Sequence, residues 1–167
     1  LSDIKSEDPA LYKKAIKKVQ KAMAVDALLG NWDVVGTGKD NIIVDDKGEV
    51  WRIDNGGGMR FRGQGEKKTE EQWNAHPTEL WTLRAEKTPD GRSNKDNHDV
   101  YKDVSWGQIV DQMDDIARRR DKILGELPAA DQPIVAARIE TMEHLVSVSR
   151  AMEKDKISET HMDKESE

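Results

Sequence analysis

The stretch 41–54 limits what this chain can fold into more than any other. Two short apolar runs, Asn41-Ile42-Ile43-Val44 and Val50-Trp51-Arg52-Ile53-Asp54, flank the turn cluster Asp45-Asp46-Lys47-Gly48. β-Branched and aromatic residues in runs this short favour strands. A turn with a glycine that tolerates positive φ joins such strands as a hairpin. Pairing them brings Asn41 and Asp54 to the same end, and Asn31-Trp32-Asp33 lies one loop upstream. An Asp, an Asn and a second Asp then converge on one spot. Phosphoryl transfer calls for such a set: a carboxylate that orients or deprotonates an attacking hydroxyl, and two oxygen ligands for magnesium.

The 167 residues fit one domain, expected over 1–155 with a charged tail over 156–167. Charged residues make up 36% and apolar ones 35%, which implies a modest core with long solvated faces. A net charge of −6 disfavours non-specific binding to nucleic acid or anionic membranes. The absence of cysteine excludes disulfides, thiolate metal sites and a cysteine nucleophile. No apolar run reaches the length of a membrane span or a signal-peptide core, so a soluble chain is expected. The sequence opens on Leu1 rather than Met, as expected of a processed product or a piece of a longer chain.

Around the hairpin the period changes from strand-like to helical. Residues 1–7 are polar and are expected to fray. Asp8 followed by Pro9 signals a helix start, and Tyr12, Ile16, Val19, Met23 and Ala27 continue as one stripe to a C-cap at Gly30. Asp26 lies beside that stripe, where it either positions the Asp33 loop or is solvated or locally bonded. Residues 34–39 hold Gly36 and Gly38 and read as a loop before a strand. Residues 66–104 read as irregular, with a short helix over 78–85 anchored by Leu80, Trp81 and Leu83, and an exposed turn at Asp90-Gly91-Arg92-Ser93-Asn94. Ser105 and Gln108 form a capping box for a helix over 105–127 that ends at Pro128. Arg118, Arg119 and Arg120 are flanked by aspartates, so pairing along the helix is expected. Val135, Ile139, Met142, Leu145, Val146 and Met152 mark a second helix over 131–153, antiparallel to the first. The fold class expected is α+β and mostly helical, with one β-hairpin carrying the site and a C-terminal antiparallel helix pair.

With these residues in place, the chain over about residues 22–65 resembles the catalytic C-lobe of the protein-kinase-like superfamily, in its HipA-like and phosphatidylinositol-kinase-like forms. Asn31-Trp32-Asp33 is similar to the family's catalytic loop, Asp40-Asn41-Ile42 to the metal-ligand end of that loop, and Ile53-Asp54-Asn55-Gly56 to its second metal motif. The resemblance implies Mg²⁺ and ATP as cofactors and an unidentified hydroxyl acceptor. It implies Asp33 as the catalytic residue, Asn41 and Asp54 as metal ligands, and Asn41, Asp54 and Gly56 as cofactor-binding positions. The Asp33–Asn41 spacing is longer than the family's, and Trp32 and Val34 stand where it has His or Arg; Asp40 is the alternative to Asp33. Gly56-Gly57-Gly58 and the arginines Arg60 and Arg62 would open an activation segment, with either arginine contacting a phosphate or simply solvated. No Gly-Lys-Ser/Thr follows those glycines, which excludes a Walker-type loop.

A kinase also needs a lobe that covers the nucleotide. The residues before Asp33 read as helix, so the expectation is a longer parent chain or a degenerate relative. The competing reading is a non-enzymatic structural or interaction module, of phage or effector type, that keeps the scaffold. In it, Asn and Asp at strand ends serve only the turns. A calcium loop built on Asp40, Asp45, Asp46 and Glu49 lacks EF-hand spacing.

Overall fold

In this computed structural model, which describes residues 1–164 and side-chain surroundings as far as Lys156, the hairpin sits against a helical core. The elements run α1 (Ser2–Glu7), α2 (Pro9–Gln20), α3 (Met23–Leu28), a 3₁₀ turn (Thr37–Lys39), β1 (Ile42–Val44) and β2 (Val50–Arg52). They continue with α4 (Glu79–Thr82), α5 (Lys95–Tyr101), α6 (Trp106–Arg118), α7 (Arg120–Glu126) and α8 (Gln132–Lys164). The class is α+β, with more helix than any other structure and one antiparallel two-stranded sheet among the described residues. Among those residues no helix is long and apolar enough to cross a membrane.

Helices α6 and α8 form the antiparallel pair expected from their stripes. Ile109, Val110, Met113 and Ile116 of α6, and Val135, Ile139, Met142 and Val146 of α8, all lie in the buried core. Polar contacts fix the register: Trp106 Nε1 donates to Ser149 Oγ at 3.0 Å, and Arg150 reaches Asp114 at 3.0 Å. The capping box forms as read, with Gln108 N–H donating to Ser105 Oγ at 3.1 Å. Arg118 pairs with Asp114 at 2.6 Å and Arg119 with Asp115 at 3.4 Å, so two of the three arginines pair along the helix as expected.

The hairpin pairs Ile42 with Arg52, Ile43 with Trp51 and Val44 with Val50. Alternation turns Ile42, fully buried, toward the core and leaves Ile43 and Trp51 exposed. The inward face ends in a buried ion pair. Both terminal nitrogens of the Arg52 guanidinium, Nη1 and Nη2, donate to the Asp26 carboxylate, and Tyr101 Oη donates to the same group at 3.3 Å. Burial pushes the Asp26 carboxyl above its ordinary range, although Arg52 and Tyr101 pull it down. Asp26 is therefore neither solvated nor bonded to the Asp33 loop through its carboxylate: it holds the second strand.

Several boundaries differ from the sequence reading. Residues 1–7 form α1 rather than a frayed end, with Leu1 packed on the core and Lys5 3.8 Å from Asp99. The stripe from Tyr12 to Ala27 is split between α2 and α3. At the break Gln112 of α6 satisfies both freed backbone groups: its Oε1 accepts from Ala24 N–H at 2.9 Å and its Nε2 donates to Gln20 O at 3.0 Å. The helix expected over 105–127 breaks at Arg119 (φ −102°, ψ 12°), whose N–H bonds to Ala117 O and Ile116 O instead of continuing the α-helical ladder. The 78–85 helix shrinks to α4, and Trp81 is 48% exposed, stacked on Trp106 at 5.9 Å rather than anchoring the core. Within the segment read as irregular, α5 forms and buries Val100 and Tyr101. Helix α8 continues through the expected tail as far as Lys164; residues 165–167 of that tail lie outside the described residues.

Candidate active site

The Asp33 loop is held on both sides before it reaches solvent. Gly30 leaves α3 at φ +59°, and buried Asn31 accepts Asp33 N–H on its Oδ1 at 3.3 Å. Trp32 O accepts from Asn97 Nδ2 of α5 at 2.9 Å. Val34 and Val35 are buried, so they root the loop just after Asp33 and leave that side chain exposed. Beyond them, Lys39 takes a left-handed conformation (φ +66°). Its ammonium is fixed by Asp96 at 3.0 Å and Asp99 at 3.3 Å.

Asn41 closes this loop onto the hairpin. Its N–H donates to Val35 O at 3.1 Å, and its Nδ2 donates to the backbone carbonyl of Asp33 at 2.8 Å. The residues inserted between Asp33 and Asn41 are thus looped out, and the two positions meet. Gly36 makes this possible: at φ +74° and ψ 168° it occupies a region open essentially to glycine alone. A Cβ there would lie 2.7 Å from Asn41 Cγ. Gly36→Ala should cost ~1–3 kcal/mol for the backbone strain and shift the Asn41 side-chain amide resonance in NMR spectra. An unshifted resonance would show that the loop does not depend on this glycine.

Asp54 arrives from the other strand. Ile53 N–H donates to Asn41 O at 3.1 Å, so the ladder extends to the residue before Asp54. Asp54 Oδ1 accepts Gly56 N–H at 3.0 Å, which commits that amide within the chain. Glycines let the backbone come close to both carboxylates. A Cβ on Gly63 would sit 3.2 Å from Asp33 Oδ2, and one on Gly56 would sit 3.2 Å from Asp54 Oδ1. A Cβ on Gly57 would sit 3.5 Å from Asp33 Cβ.

The carboxylates sense one another. Partial burial, then Asp54, then Asp40 push the Asp33 carboxyl above its ordinary range. A raised carboxylate favours its protonated form in the folded state. Its contribution to stability is fully present below the unfolded pKa and is lost as pH rises through the folded one. At neutral pH an ionised Asp33 therefore opposes folding. Asp33→Asn should raise the melting temperature at neutral pH, and the gain should vanish as pH falls below the ordinary carboxylate range. A variant less stable than the parent at neutral pH would contradict this.

Asp33, Asp40, Asn41 and Asp54 are thus gathered at one end of the hairpin, and Gly56 flanks them. Asp40 is the weaker of the two carboxylates acting on Asp33. Among the described residues, no three His, Asp or Glu side chains cluster closely enough to hold a metal ion unaided. Neither arginine of the following segment stands free. Arg62 reaches Glu66 at 3.4 Å and Gln72 at 3.2 Å, while Arg60 lies 3.7 Å from buried Asp131. Sequence reading placed Asn31 and Gly57 within the site's motifs without giving either a contact, and it did not single out Gly63 or Lys68 as parts of the site's frame. The glycines stood in a visibly glycine-rich run, but nothing in it marked which would face Asp33. No family model, curated protein or solved structure matches this chain.

Proposed function

We propose that this chain carries the metal- and base-bearing part of a phosphotransferase site that uses Mg·ATP, arranged as in a HipA-like or phosphatidylinositol-kinase-like C-lobe. The observation that supports it most is the electrostatic coupling of Asp33 to Asp54, alongside the Asn41–Asp33 hydrogen bond. Two carboxylates close enough to act on one another, and an asparagine bonded to the backbone of one of them, then meet at this end of the hairpin.

Asp33 orients the acceptor hydroxyl and takes up its proton, and its raised proton affinity suits that task. Asn41 Oδ1 and the Asp54 carboxylate are hard oxygen donors of the kind magnesium takes. They are too few to hold it without phosphate oxygens, in keeping with a metal that arrives with its nucleotide. Bound there, magnesium would offset the negative charge of the phosphates during transfer. The glycines at 56, 57 and 63 let the backbone pack closely against both carboxylates. The described residues contain a single two-stranded sheet, so a β-rich lobe over the nucleotide would have to come from other sequence.

A second reading, a non-enzymatic interaction module, is favoured by the local character of two bonds. Gly56 N–H to Asp54 and Asn41 Nδ2 to Asp33 O are also what purely structural turns would use. Thermal-shift titration separates the two. Mg²⁺ alone should scarcely stabilise the 167-residue chain, because magnesium gives up its waters reluctantly. The full native polypeptide in which it occurs should be stabilised by Mg·ATP, by about 2.7 kcal/mol at a hundredfold excess over Kd. No shift in the native polypeptide, from any of Mg²⁺, ATP or Mg·ATP, would leave the interaction module as the surviving reading.

A further inference from the structure

Lys68 lies outside every motif, in a polar segment, yet its side chain runs inward beneath the site. Its Nζ donates to Gly30 O at 2.5 Å and to Gly57 O at 2.8 Å. The same ammonium stands over the Trp32 ring at 4.8 Å and the Trp73 ring at 5.7 Å. Gly30 is the root of the loop that presents Asp33. Gly57 belongs to the glycine run that follows Asp54, and it packs against Asp33 itself. One cation therefore bridges the two backbone segments that carry the site's carboxylates. An ammonium suits this place because it has three donors, no acceptor and affinity for aromatic faces.

We propose that Lys68 is a positioning residue whose ammonium clamps the Asp33 loop to the Asp54 loop and so sets the separation of the two carboxylates. The proposal rests on the assignment of Asp33 and Asp54 to one site, and requires no nucleotide. A backbone bond from Met59 N–H to Leu29 O at 2.5 Å joins the same two segments, but it lies one residue farther from Asp33 and two farther from Asp54. The clamp is also titratable. Burial chiefly, with Arg138 of α8 adding to it and Glu79 of α4 opposing it, lowers the Lys68 ammonium to about 8. Those are the charged groups that face it, and they pair with each other at 2.9 Å. Above that pH the clamp loses its charge, and both carbonyl bonds weaken.

The test is NMR on the labelled 167-residue chain. The readouts are the nuclear Overhauser contact between Gly57 Hα and Asp33 Hβ and the amide shifts of Gly30 and Gly57. In the native chain the contact should be present well below pH 8, and should weaken with a midpoint of about 8. Lys68→Arg, whose guanidinium stays charged, should keep the contact through the same range. Lys68→Met should lack it at every pH while the methyl signals of Ile109 and Ile139 keep their native positions. A contact that survives in folded Lys68→Met, or an alkaline loss that recurs unchanged in Lys68→Arg, overturns the proposal. Should Lys68→Met fail to fold, the native titration decides alone: Gly30 and Gly57 signals that stay put on passing well above about 8 overturn it. None of these readouts uses ATP, so failure of the clamp and failure of the phosphotransfer reading are separable.

Discussion

Replacing Arg138 by alanine should destabilise the protein by about 3–5 kcal/mol, the cost of breaking a buried pair by removing one partner. Arg138 is 1% exposed, in the middle of a packed helix face on α8. Its Nη1 donates to Ala27 O at 2.8 Å and to Glu79 Oε2 at 2.9 Å, and its Nε donates to Asn74 O at 2.6 Å. The guanidinium carbon lies 4.3 Å from the centre of the Trp73 ring. Truncation would leave Glu79, itself only 2% exposed, as an unpaired buried charge, and would take from Asn74 O its Arg138 donor. Lysine cannot replace this fork, because its single nitrogen cannot serve three separate acceptors in that geometry. Arg138→Lys should therefore recover only part of the loss. Removing both charges, with Arg138→Met and Glu79→Leu together, should be milder than Arg138→Ala, since no unpaired ion remains. Urea denaturation of the three variants measures this. A loss below about 1 kcal/mol for Arg138→Ala, typical of a surface pair, would show that α8 is not held to α3 and α4 in this way.

Replacing Asp33 by alanine should lower phosphate transfer by ~10²–10⁴-fold, the usual contribution of a positioned general base. The nucleotide should still bind, because Asn41 and Asp54 remain, so the loss should fall on kcat rather than on KM for ATP. The stability of Asp33→Ala should not fall in step with its activity, since ionised Asp33 opposes folding at neutral pH. A merely structural residue would lose stability and activity together. Asp40→Ala is the comparison that matters. Asp40 is exposed and acts on Asp33 more weakly than Asp54 does. Its replacement should leave most of the transfer rate intact, and a larger loss from Asp40→Ala than from Asp33→Ala would exchange their roles.

The hairpin was legible in the sequence because its signals are local. Ile42, Ile43 and Val44 are strand formers, and Gly48 supplies the positive φ of the turn at +77°. The C-terminal pair was legible because its apolar stripes and the Ser105 cap also lie within single elements. What stayed hidden depends on partners distant in the chain. The break after Gln20 needs Gln112, far along in α6, to satisfy its backbone. Helix α5 is short and polar, and it is held by Lys39, Asn97 and the burial of Tyr101 rather than by propensity. The same holds at the site. Asp33, Asn41 and Asp54 were visible as residue types at suggestive positions. The turn at Gly36 that brings Asn41 onto Asp33, and the lysine beneath both loops, follow only from tertiary placement.

The central claim, that the Asp33–Asn41–Asp54 end of the hairpin is a phosphotransfer site, is tested most directly by transfer of radiolabelled γ-phosphate. The assay takes the full native polypeptide, with magnesium, against hydroxyl-bearing acceptors of the protein, lipid and small-molecule classes, and with autophosphorylation scored as well. The account predicts magnesium-dependent label transfer that is lost in Asp54→Ala, reduced ~10²–10⁴-fold in Asp33→Ala and negligible in the 167-residue chain by itself. Transfer that persists undiminished in Asp54→Ala, or none from a native polypeptide that also fails to bind Mg·ATP, would contradict it.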